Sequence, residues 1–191
     1  MPSKSTKSDI ALVLVFVTIG LLTRTTYHMG ANIELITALS IAAPFFLKNK
    51  KLSMLVPLGA MILSDLVIGN TIIFTFTWSA FLLAPVIGIV LNKIARNKNI
   101  KTKLLSATGG SLISNIIFFL WTNFGVVLTT TMYSKDLAGV MQSYINALPF
   151  FRNQLVSGLV FTPMVFLATL LVVETHKYLK GLNVEKLDIR D

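Results

Sequence analysis

The sequence predicts an all-α fold: a polytopic membrane protein built as a six-transmembrane-helix bundle, with a short amphipathic helix on its outer face. Three observations predict it. Of 191 residues, 54% are hydrophobic and only 13% charged, with a mean hydropathy of +0.75, whereas ordinary soluble domains carry about 25% charged residues. The apolar residues gather into runs of bilayer-crossing length, separated by short polar connections. The basic residues concentrate in alternate connections, the bias that insertion produces when Lys and Arg stay on the cytoplasmic side. A single membrane domain over residues 1–191 is expected.

The first span covers about 10–23, between Asp9 and Arg24. No small-x-small cleavage pattern precedes Arg24, so it reads as an uncleaved helix rather than a signal peptide. The second covers 33–47 and ends at Lys48, Lys50 and Lys51. The third covers 52–69, with Pro57 near its first turn and Asp65 near its far end, and the fourth 72–91, with Pro85 inside it. Membrane bundles tolerate such a proline when neighbours satisfy the freed carbonyl. A basic loop, 92–103, leads to the fifth span, 104–129, which is long for one straight crossing and has Gly125 near its end. From Asp136 to Leu148 the apolar residues Leu137, Val140, Met141, Tyr144, Ile145 and Leu148 fall on one helical face. This predicts an amphipathic helix on the outer surface, capped by Ser134 or Asp136 and stopped by Pro149. Two readings of it stay open, a cover that closes the bundle and a moving lid. The sixth span covers 155–173, with Pro163 at its middle.

Six spans place 14 of the 17 Lys and Arg residues on one side and Arg24, Lys135 and Arg152 on the other. The expectation is a multi-pass protein of the cell membrane with both termini cytoplasmic. The net charge of +9 belongs to this bias and not to a nucleic-acid surface. With no cysteine, disulfides, thiolate metal sites and a cysteine nucleophile are excluded. The two histidines, His28 and His176, fall on opposite sides of the membrane, and neither a GxSxG nor an HExxH motif occurs. Nothing in the chain points to an enzyme, a metal or a cofactor.

Binding is the better reading, and the stretch 112–125, LISNIIFFLWTNFG, carries it. Ser111, Asn115, Thr122 and Asn123 share a helical face with Phe118 and Phe119 at about 100° per residue. An unpartnered amide in hydrocarbon costs about 2–7 kcal/mol, so this face turns inward, to a helix partner or a ligand. Asn123 lies level with Asp65 in the outer half, while Asn115 lies nearer the midplane, where it serves either helix packing or ligand contact. Arg24, His28, Asn32 and Glu34 occupy the first outer loop and the start of the second span. Trp78, Trp121, Tyr144 and Arg152 converge on the same half from other elements, the two tryptophans being pocket walls or interfacial belt residues. Asp65 is also placed to pair with Arg24 or Arg152. Two arginines against one acid give a lean toward a ligand with an anionic group.

Several stretches together resemble the substrate-binding S components of energy-coupling factor (ECF) transporters: Arg24 to Asn32, Leu63 to Gly69, Phe118 to Gly125, Tyr133 to Gly139, and Tyr144 to Asn153. The resemblance implies a subunit that binds a small water-soluble nutrient from outside and works with an ECF coupling membrane protein and ATPase subunits. The substrate contacts expected in such a subunit, from the convergence of residues on the outer half, are Asp65, Asn123, Asn115, Arg24, His28, Asn32, Trp121, Trp78, Tyr144 and Arg152. S components dock on their partner through small residues spaced four apart; Ala38 and Ala42 have that spacing, which also suits ordinary close helix packing. A stand-alone carrier or channel and a ligand-free membrane scaffold are the alternative classes.

Overall fold

A computed structural model describes residues 4–27, 30, 32–69 and 72–188, with side chains from 7 to 180. It is all-helical among those residues: α1 (Lys4–Thr25), α2 (Ile36–Phe46), a 3-10 turn (Lys50–Met54), α3 (Leu55–Ile68), α4 (Phe74–Ile94), α5 (Ile100–Thr129) and α6 (Leu137–Asp188). Five helical segments are long and apolar enough to cross a membrane, α2 being the short one. The helices alternate in direction. The connections rich in Lys and Arg, between α2 and α3 and between α4 and α5, therefore share one end of the bundle, here termed the basic end.

The reason for this architecture lies in α2. Its residues from Ile36 to Pro44 are all buried, as expected of a helix that is apolar on every side. It packs against α3, α4, α5 and α6, which stand around it with α1. Those outer helices carry the large exposed apolar side chains, among them Leu14, Leu66, Leu105 and Leu171, that lipid would cover. Small residues permit the close packing: a Cβ on Gly88 of α4 would lie 2.6 Å from the Ile41 carbonyl oxygen of α2. Ala38 and Ala42 are inside this contact zone, 2% and 0% exposed. They serve close packing within the chain and present no external docking face.

Three of the boundary differences from the sequence expectation shape the fold. The helical part of the second span begins at Ile36, not at 33, so α2 has 11 residues and is about 16 Å long against a core of ~30 Å. Gly30 and Asn32 have positive φ (131° and 58°) and Ile33 N donates to Gly30 O at 3.1 Å. This turn carries the chain off the helical path, and Gly and Asn are the residues that tolerate it. Second, α1 begins at Lys4 and includes Asp9, which is 5% exposed and accepts hydrogen bonds from the Lys48 and Asn49 amides at 3.1 and 2.7 Å. Third, the segment 137–148 is helical but Pro149 does not stop it; α6 continues through Pro149 and Pro163. Proline removes one intrahelical bond, and packing against a neighbouring helix offsets that loss in a membrane bundle. Asp136 caps this helix, its Oδ1 accepting from Gly139 N at 2.8 Å.

The core has three centres. Val13, Phe16 and Val17 of α1 pack with Leu39, Ala43 and Val56. Ile36, Ala60, Met61 and Phe81 form a second group, flanked by Trp78 and Phe118. At the basic end Ile41, Ala84, Ala107 and Phe166 form the third, with Phe45 and Phe46 on the Phe166 ring at centroid distances of 5.4 and 4.9 Å.

Candidate ligand cavity

Because α2 is short, the bundle is filled at the basic end and hollow at the other. A cavity of about 600 Å³ lies above α2, between the last turns of α1 and α3, the later turns of α5, the first turns of α4 and residues 147–154 of α6. Non-helical backbone at membrane depth is tolerated only where protein covers it or it lines a water-filled space. The 30–34 connection fits that rule, since Gly30, Asn32, Ile33 and Glu34 all line the cavity. Phe81, Phe118, Phe119 and Phe150 supply aromatic wall, and Thr23, Thr77, Thr122, Asn123 and Gln154 supply polar groups.

Arg24 enters from the last turn of α1. Its Nη2 lies 2.9 Å from Asp65 Oδ1, the two side chains being 20% and 7% exposed, and its Nη1 contacts the Met61 sulfur. Asp65 Oδ2 in turn accepts from Trp78 Nε1 at 2.8 Å. This chain of contacts ties α1 to α3 and α4, and it leaves the Asp65 charge matched by Arg24. Glu34 is different. Among the described residues it makes no hydrogen bond or ion pair, Arg24 acts on it only as a nearby charge, and it borders the main cavity and a smaller one below it.

On α5, Phe118, Phe119, Thr122 and Asn123 line the main cavity, and one and two turns lower Asn115 and Ser111 line the smaller one. Asn123 Nδ2 donates to the Phe119 carbonyl at 2.8 Å. Asn115, 3% exposed, donates through Nδ2 to the Gln154 carbonyl of α6 at 2.7 Å and so fastens α5 to α6.

Of the residues singled out by sequence, the structure therefore brings Arg24, Asn32 and Asn123 to the main cavity and Asn115 to the space below. Asp65 and Trp78 stand behind Arg24 as its supports. Trp121 is 42% exposed outside the cavity lining, with Nε1 donating to Ser79 Oγ at 2.8 Å and its ring 5.1 Å from Phe76. Tyr144 donates to the Leu120 carbonyl at 2.8 Å and packs edge-on against Phe119, and Arg152 is exposed away from the lining. His28 lies outside the described residues. Sequence reasoning left out Glu34 and Gln154 as site residues. An acid at the head of a predominantly apolar run was the available signal for Glu34.

Fold and cavity together define a multi-pass α-helical membrane protein with an internal polar-aromatic chamber. The chain belongs to the family of unknown function DUF6580, which matches residues 4–181. No curated protein and no solved structure matches it. Among the described residues there is no group of three or more His, Cys, Asp or Glu side chains able to hold a metal ion.

Proposed function

We propose that this protein is a substrate-binding membrane subunit, similar to an ECF S component, that captures a small water-soluble nutrient in the chamber above α2. The observation that carries the reading is the chamber itself: about 600 Å³, with aromatic walls and a few placed polar groups, within the ~300–1,000 Å³ range of small-molecule sites. It lies at the end opposite the basic connections. By the positive-inside bias it faces outward from the cell membrane and both termini are cytoplasmic. Toward the basic end Phe45, Phe46, Ile41 and Phe166 close the path, as suits a subunit that binds and then relies on partners for release. The partners in this reading are a coupling membrane protein and ATPase subunits, and the chain itself performs no chemistry.

Affinity purification under mild extraction tests this directly. Coupling and ATPase subunits should co-purify, and mass spectrometry of the denatured protein should release a small molecule. Purification of the chain alone, with nothing retained, would count against it.

A stand-alone carrier is the second reading, favoured by one observation. Glu34, Thr37, Ser111, Asn115 and Ser157 line the smaller cavity of about 10 Å³ beneath the chamber, room for about one water. Ser111 Oγ is buried there with no hydrogen-bond partner among the described residues. Transport by the purified chain alone in liposomes would decide for that reading.

A further inference from the structure

The chamber wall offers its ligand mostly acceptors. Thr23, Thr77 and Thr122 each donate their hydroxyl proton to a backbone carbonyl of their own helix, at Ile19 (2.9 Å), Ile73 (3.2 Å) and Phe118 (2.8 Å). A hydroxyl has one proton, so only oxygen lone pairs remain for a ligand. Asn123 follows the same pattern. Its amide nitrogen spends one of its two protons on the Phe119 carbonyl, which leaves Oδ1 with both lone pairs open beside one remaining N–H.

Charge points the same way. Two ionisable side chains line the chamber among the described residues, Arg24 and Glu34, and the Arg24 guanidinium is matched by Asp65 behind it at 2.9 Å. Glu34, beside it in the lining, makes no hydrogen bond or ion pair among the described residues and meets Arg24 only as a nearby charge. A carboxylate at a desolvated site favours an ionic partner with hydrogen-bond donors. Phe118 and Phe119 line the same chamber, and aromatic rings attract cations. The lean toward an anionic ligand is thereby reversed: Arg24 is engaged and Arg152 is not in the lining.

We infer that the chamber takes a small organic cation, an ammonium or related donor-rich group on an apolar frame, with Glu34 as its charge partner and Asn123 and the threonine hydroxyls as acceptors. This rests on the reading that the chamber binds a ligand. The test uses the full-length protein in detergent with three probes of matched shape: phenethylamine, 2-phenylethanol and 3-phenylpropanoate. Binding is read by thermal shift and calorimetry, alongside native mass spectrometry of whatever the protein retains. The amine should bind at least tenfold more tightly than the other two, a retained ligand should carry a basic nitrogen, and Glu34→Gln should weaken amine binding at least tenfold. Circular dichroism and the melting temperature of the ligand-free Glu34→Gln protein establish that it is folded. Should that variant not fold, Asn123→Asp is the second probe and should tighten amine binding. Preferential binding of the carboxylate, an anionic retained ligand, or amine binding indifferent to both substitutions overturns the cation assignment and leaves ligand binding intact. No binding of any probe together with nothing retained overturns both.

Discussion

Arg24 on α1 and Asp65 on α3 form a close ion pair, 2.9 Å from Nη2 to Oδ1, and the Trp78 indole holds the second carboxylate oxygen at 2.8 Å. Removing the acid strands a guanidinium that is only 20% exposed. Breaking a largely buried pair from one side costs about 3–5 kcal/mol. Asp65→Ala should therefore lower the melting temperature markedly. It should also shift ligand preference toward anions, because Arg24 becomes the free charge of the chamber. Calorimetry with 3-phenylpropanoate reads the second effect; unchanged selectivity in a folded variant would show that Arg24 does not face the ligand.

The contact between α5 and α6 makes a separate prediction. A Cβ on Gly158 would lie 2.7 Å from Asn115 Nδ2 and 3.0 Å from Ser111 Oγ, at the point where Asn115 donates to Gln154 O. Gly158→Ala should cost about 1–3 kcal/mol by overpacking, and Asn115→Ala about 0.6–1.7 kcal/mol for the lost interhelical bond. Since the new methyl collides with the amide that the second substitution removes, the double variant should be less destabilised than the sum of the two. A double-mutant cycle by thermal unfolding measures this, and simple additivity would refute the contact.

The start of α6 supplies a pH dependence. Asp136 Oδ1 accepts from Gly139 N at 2.8 Å and from Ser134 Oγ at 2.7 Å. These bonds, the Gly139 amide first, hold its carboxyl below the ordinary value. A depressed acid contributes stability above its unfolded-state pKa and loses it as pH falls through the folded value. The first turn of α6 should thus stay protected from hydrogen exchange at neutral pH and fray only well into the acid range. In Asp136→Ala it should be frayed throughout. Equal protection in both proteins at neutral pH would remove Asp136 as the cap.

How far the chain could be read in advance depends on what hydropathy reports. It reports burial in lipid, so the apolar runs, the alternating basic connections and the inward face of α5 from Ser111 to Asn123 were all legible. It does not report backbone conformation. The run from Ile33 to Leu47 is apolar enough to look like one helix, yet the turn at Gly30 and Asn32 keeps its first residues off the helical path, and Ile33 and Glu34 line the chamber instead. Glu34 faces that chamber through this local bend, which no 3.6-residue period encodes. Pro149 shows the converse: the local rule ends a helix there, and tertiary packing carries α6 past it. Trp121 and Tyr144 reach the predicted half of the bundle, but their polar atoms bond to Ser79 and Leu120 outside the chamber. Depth follows from topology, whereas facing depends on side-chain partners.

Phe166 provides the last prediction, at the closed end of the path. It is 1% exposed, with the Phe45 and Phe46 rings at centroid distances of 5.4 and 4.9 Å, and it packs with Ile41, Ala84 and Ala107. Truncation to alanine removes a ring from a packed site and should cost about 3–5 kcal/mol. The smaller cavity lies between this cluster and the chamber, lined by Glu34, Ser111 and Ser157. If the aromatic cluster is the barrier to flow, Phe166→Ala in liposomes should leak small ions or the cavity ligand, whereas Phe166→Leu, which refills most of the volume, should remain tight. The paired variants separate barrier loss from general instability, since both lose aromatic packing and only one opens the space. Leak in neither variant, with both folded, would place the barrier elsewhere in the bundle.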